Sequence, residues 1–193
     1  MPKLASDIKR KLTGENPVLT VNLKEMFDLP FFPESDSLRQ AIGQAIIDKI
    51  KENTSRGEFL EQSAGAKKYS KEYAESYEFK VYGKQQGRVN LKASGDMLGS
   101  IELALPDDKN KVVIDFSDET EAAKAHGHIT GNVGKKRDFF GLSDADLSQL
   151  AKQFEPRVLD AMLAFQAGEQ LKQQADGQSD LDFLLQRIAD GEG

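Results

Sequence analysis

Cysteine and tryptophan are absent from this 193-residue chain, and histidine occurs only twice, at His126 and His128. Without cysteine there is no disulfide framework, no thiolate zinc site, no iron–sulfur cluster and no thiol nucleophile. Imidazole chemistry is confined to one spot or absent. No apolar run approaches the roughly 18–20 residues that a membrane span needs. The opening Met1 to Asp7 lacks the apolar stretch of a signal peptide. The expectation is a soluble protein, made and kept in a cytoplasm-like compartment. Basic charge is also short: 26 Lys and Arg against 32 Asp and Glu leave a net charge of −6, which disfavours a strongly basic nucleic-acid binder. Gly83 and Gly87 flank a short segment that lacks the Gly-Lys-Ser/Thr ending of a phosphate loop, so it reads as a hairpin connection. There is no Gly-x-Ser-x-Gly nucleophile elbow. The pair Asp107-Asp108 falls in an exposed turn, a poor place for pKa-shifted acid–base chemistry.

What is present is 38% hydrophobic and 30% charged, enough for one modest core with much exposed surface. Charge comes in blocks. Residues 66–92 carry a net of +4, residues 93–125 a net of −5 and residues 144–193 a net of −6. Such blocks suit complementary faces between copies of one chain or between different proteins.

Periodicity outlines the elements. Leu4, Ile8 and Leu12 recur every four residues and predict a short amphipathic helix, broken by the Thr13 to Pro17 segment. Val18, Leu19 and Val21 suggest a brief strand. Phe27, Phe31 and Phe32 then sit among Pro30 and Pro33, an irregular arm that must fold back on the body or dock on a neighbour. Ser35 opens the clearest helix, over 38–54, with Leu38, Ile42, Ile46 and Ile50 on one face and Arg56-Gly57 at its end. Tyr69 and Tyr73 fit a second helix near 69–76. Tyr77, Phe79 and Val81 alternate as a strand, as do Val89 and Leu91. Met97-Leu98 fits one helical turn. Ile101 to Leu105 and Val112 to Phe116 form a hairpin. Residues 118–126 read as a helix ending at His126-Gly127, followed by a glycine-rich loop carrying Lys135, Lys136 and Arg137. Ser143 and Asp146 make a capping box ahead of a helix through Phe154. Pro156 opens another helix to about 173, a linker spans 174–178, and Ser179 with Asp182 caps a terminal helix bearing Leu181, Leu184, Leu185 and Ile188.

The expected class is therefore α+β: a small antiparallel sheet, within about 77–116, packed with helices and flanked by extended arms. The expected organisation is an N-terminal arm over 1–36, a body over 37–155 and a C-terminal helical extension over 156–193. Only His126 and His128 suggest a metal site, and the acids near them have no recognisable ligand spacing. A helix end favoured by the dipole accounts for His126 as simply. The Lys135 to Arg137 cluster suits an acidic protein partner at least as well as nucleic acid.

Four stretches taken in order carry a resemblance. They are Tyr69-Ser70-Lys71-Glu72-Tyr73-Ala74, Val89 through Ser100 with its Ser94-Gly95-Asp96-Met97-Leu98 segment, Ala125-His126-Gly127-His128, and Arg137-Asp138-Phe139-Phe140-Gly141-Leu142-Ser143-Asp144. Together they resemble the virion morphogenesis or tail-completion family of tailed bacteriophages, over about residues 38–155. Phe140 stands where that pattern has leucine, and the polar loop before Arg137 is long. The resemblance implies a structural neck protein, a tail-terminator-like ring subunit joining head connector and tail. It implies no enzyme activity, no cofactor and no metal. The implied partners are further copies in a homo-oligomeric ring, other neck proteins, the portal or adaptor complex, and tail tube or sheath proteins. Genome DNA would pass through without specific binding, and no membrane is involved. The implied location is the virion neck, reached from the host cytoplasm. A head–tail adaptor or stopper is the alternative within the virion, and a small metal-dependent enzyme using His126 and His128 the alternative outside it. Interaction roles fall to Lys135, Lys136 and Arg137, to Phe31 and Phe32 of the arm, and to Leu181, Leu184, Leu185 and Ile188 of the terminal helix. Asp107 and Asp108 are the expected channel-facing residues.

Overall fold

Apolar alternation and local caps account for most of what forms. The computed structural model describes residues 8–13, 16–64, 68–91, 94–132 and 134–189, with side chains described between 16 and 172. Strands β1 (Ile8–Thr13) and β2 (Asn16–Asn22) pair antiparallel, with Ile8 opposite Val21 and Leu12 opposite Pro17. The helix expected over 1–12 is thus a strand where it is described, and Leu4 lies outside the described residues. The reason is ambiguity of period: residues four apart share a face in a strand as well as in a helix.

After β2 come helix α1 (Leu23–Met26), an irregular stretch, and helix α2 (Asp36–Arg56). The Ser35 hydroxyl accepts the Leu38 N–H at 3.3 Å to start α2. Gly57, in the left-handed region at φ 70°, ends it, a conformation glycine adopts without a side-chain clash. Ile42, Ile46 and Ile50 are fully buried, and Ile47 joins them.

Strand β3 (Glu61–Gln62) precedes two short helices, α3 (Lys71–Glu75) and α4 (Tyr77–Val81). The latter replaces an expected strand. Ser70 and Ser76 each accept the N–H three residues on, from Tyr73 and Phe79, and these caps override the weak alternation of Tyr77, Phe79 and Val81. Only Phe79 of those three is buried. Val89 and Leu91 lie in irregular backbone instead of a strand, with Leu91 at φ 47°. Helix α5 (Asp96–Gly99) leads to strands β4 (Ile101–Ala104) and β5 (Lys111–Phe116), the expected hairpin.

The main sheet runs β1-β2-β5-β4, all antiparallel. It draws two strands from residues 8–22 and none from 77–100, which corrects the expected sheet boundaries. It also corrects the expected N-terminal arm: Leu19, Val21, Leu23, Met26 and Phe32 are core residues. Phe32 is 2% exposed and packs 6.0 Å from the Phe27 ring, while its N–H donates to Asn110 Oδ1. Phe31 stacks on Phe165 at 5.2 Å. For Phe32, burial of the ring outweighs the irregular backbone that the prolines impose, so it serves the fold of its own chain, whereas Phe31 stays half-buried.

Helix α6 (Glu119–Thr130) starts on Asp118 and runs past Gly127, which is buried, to Gly131 at φ 86°. Strand β6 (Arg137–Asp138) pairs with β3 as a two-stranded ribbon. The last helix, α7 (Asp144–Ala189), begins at the capping box: Asp146 N–H donates to the Ser143 hydroxyl, which donates to Asp146 Oδ2 at 2.6 Å. Leu147, Leu150, Phe154, Val158 and Met162 form its buried stripe. The expected break at Pro156 and the linker at 174–178 are both helical backbone. Pro156 is exposed, so the carbonyl it leaves without an N–H donor can be hydrated.

Two charged residues are buried among the described ones, Arg39 and Asp138. Arg39 is 0% exposed, and its guanidinium donates to the carbonyls of Pro106 at 2.7 Å, Lys111 at 2.8 Å and Asp108 at 3.2 Å. It also pairs with Asp36 at 2.7 Å. The arginine fork thereby ties the start of α2 to the β4–β5 turn.

Candidate functional site

Three rings make a platform beside β6. Tyr69 lies 5.2 Å from Tyr73, and Phe79 meets both edge-on at 5.4 and 5.7 Å. The break at Ser76 turns Tyr77 out to solvent, so the four-residue tyrosine ladder contributes two rings and not three. The Tyr69 hydroxyl accepts from Lys84 Nζ at 2.9 Å and from the Asn90 N–H at 3.3 Å, which fixes the ring. The same Nζ lies 5.0 Å from the centre of the Tyr69 ring, at its hydroxyl edge.

Tyr69 and Tyr73 of this platform form one wall of a cavity of about 520 Å³. Leu91 and His128 supply further wall. Four cations line it: Lys68, Lys84, Lys135 and Arg137. His128 Nδ1 is buried with no hydrogen-bond partner. Burial, with Arg137 and Lys84 nearby, pushes the imidazole pKa from 6.5 down to about 4, so His128 is neutral at neutral pH. Burial likewise lowers the Arg137 pKa, opposed by Tyr69, and raises that of the Tyr73 phenol. Such a cavity offers nitrogen donors and aromatic surface to an anionic group.

The basic tripeptide is divided. Lys135 and Arg137 line the cavity, whereas Lys136, just ahead of β6, pairs with Glu61 of β3. His126 and His128 are two residues apart on α6, about 200° around the helix, and do not face each other. Among the described residues no group of three or more His, Asp or Glu side chains is placed to hold a metal ion, and no helix is long and apolar enough to cross a membrane. At the β4–β5 turn Asp107 is exposed, while Asp108 pairs with Lys111 at 2.5 Å and accepts from the Asn110 N–H; these contacts hold its carboxyl below the usual range. The side chains of Leu181, Leu184, Leu185 and Ile188, and of the Ser179–Asp182 box, lie outside the described ones.

Sequence reasoning singled out Arg137 and Lys135 but missed Lys84, Tyr69 and His128 as their neighbours. The available signal was the +4 block at 66–92 together with its tyrosines. Comparison with protein-family models, with curated proteins and with solved structures finds no match to this chain.

Proposed function

We propose that this chain is a structural protein of a tailed-phage virion, a neck or tail-completion ring subunit that joins the head connector to the tail. One observation carries the reading. The four stretches that resemble the tail-completion family are far apart in sequence, yet each sends a side chain into one cavity: Tyr69 and Tyr73, Leu91, His128, and Arg137. The same stretches supply Met97, Leu98, Ala125, Phe139, Phe140 and Leu142 to the core, so the cavity residues are what packing leaves over, and their convergence on one surface concavity supports a recognition role. The exposed leucines of α7, Leu159, Leu163 and Leu171 at 50–67% exposure, add apolar surface suited to a neighbouring protein. In this reading the chain performs no chemistry, takes no cofactor and resides in the virion.

The test is deletion of the coding sequence from a phage genome that carries it. Filled heads and finished tails that fail to join, rescued when the chain is supplied in trans, are expected. Normal particles from the deletion would contradict the proposal.

A further inference from the structure

Two features of opposite sign stand at separate places in the fold. The first is the cavity with its four cations and the unpartnered Nδ1 of His128. The second lies on the main sheet. The β4–β5 register sets Glu102 directly opposite Asp115. Like charges directly opposed weaken a ladder. Asp115 Oδ1 is buried without a hydrogen-bond partner, and burial together with Glu102 raises its pKa. Among the described residues no cation pairs with either acid. The alternate residues Ile101, Leu103 and Ile114 belong to the core cluster, so Glu102 and Asp115 point from the other face of the sheet. Strand β4 is the edge, and Glu102 and Ala104 on it are exposed.

We propose that copies of this chain meet head to tail, with the Glu102–Asp115 face of one copy seated on the basic cavity of the next and the Glu102 carboxylate entering it. The inference rests on the ring-subunit reading and names its interface. A carboxylate there would receive charge-assisted hydrogen bonds from Arg137 and the lysines. The cavity would offset the like-charge opposition that a lone copy carries. The contact uses two different faces of one chain, so its repetition generates a ring if the rotation closes. A second copy fits better than duplex DNA. DNA binding is driven by cations engaging many phosphates along a track, whereas this site is a single cavity with aromatic walls on a chain of net charge −6.

The chain has no cysteine, which permits a direct test. Lys68 is exposed at the cavity, so Lys68→Cys and Glu102→Cys can be combined in one chain and treated with a short bismaleimide. A ladder of covalent oligomers is expected, because each copy offers both faces. Each single variant should stop at the dimer, and a control pairing Lys68→Cys with Lys24→Cys, exposed on α1, should give no ladder. Adding Lys135→Glu, a reversal at an exposed position, should abolish the ladder, with circular dichroism showing that the variant is folded. No ladder, an equal ladder from the control, or a ladder indifferent to Lys135→Glu would overturn the interface. So would tight, salt-sensitive duplex DNA binding that Lys135→Glu removes. Particles that carry the chain at the neck while the ladder fails would sink this contact alone. A ladder from a chain that no particle contains would uphold the contact and sink the virion reading.

Discussion

Arg39 illustrates what single residues do here and what a sequence hides. It shares the face of α2 that carries the isoleucines, and it is fully buried because three backbone carbonyls and Asp36 receive it. No local pattern announces partners some seventy residues away. Arg39→Met should cost roughly 2–4 kcal/mol in denaturant unfolding, since buried carbonyls left without donors each carry a penalty. A cost near zero would mean that water replaces the guanidinium. His128 gives a pH prediction. Its folded pKa of about 4 lies below the ordinary 6.5, so the unfolded chain takes up a proton first. Its contribution to stability is therefore full above pH ~6.5 and declines as pH falls toward ~4. Asp36 and Asp146 act in the same direction at lower pH. Arg39 and then Lys109 hold the Asp36 carboxyl below its usual range; burial raises Asp146, but Ser143, Asn53 and Lys49 outweigh it. Asp115, raised by burial and Glu102, opposes them. An imidazole NMR titration should show His128 protonating near pH 4, and His128→Gln should flatten the stability profile through that window. An imidazole midpoint near the ordinary value would contradict the buried placement.

At the level of elements, legibility followed the strength and uniqueness of the period. Helix α2 and the β4–β5 hairpin were readable because their apolar spacing fits one element type and turn or cap residues bound them. Strand β1 was not, since spacing of four satisfies both periods. The short α4 was not, because Ser76 capping decided between helix and strand. The arm over 1–36 could not be recognised as core, because its pairing with β5 joins residues about ninety positions apart. Ile46→Ala, on the fully buried face of α2, should destabilise by ~2–5 kcal/mol through lost contacts and the cavity left behind. Helix α7 makes a complementary prediction. Among the described residues its buried stripe ends at Met162, with Phe165 on Phe31 just beyond. Deleting 176–193 should therefore leave a protein that unfolds cooperatively at nearly the same midpoint yet fails to support head–tail joining. A truncated chain that does not fold would place those residues in the core.

For the whole molecule, the candidate site was legible as ingredients but not as an assembly. The basic block, the tyrosines, His128 and Arg137 were each visible in sequence, whereas their meeting in one cavity depends on α6 and β6 crossing to the 69–91 segment. The division of Lys136 from Lys135 and Arg137 follows from its pairing with Glu61 beside the β3–β6 ribbon, a long-range contact that no local pattern announces. The ring-subunit proposal expects weak or no binding of duplex DNA near physiological salt, in keeping with the net charge of −6, and it would place acidic residues such as Asp107 toward the channel. The most direct check of the central claim is electron cryo-microscopy of particles from a phage whose genome encodes this chain, with a tag on the chain marked by an antibody fragment. The account predicts density for the α+β body repeated around the axis between portal and tail, with the label at the neck. Complete, infectious particles in which neither the body nor the label is found would contradict it.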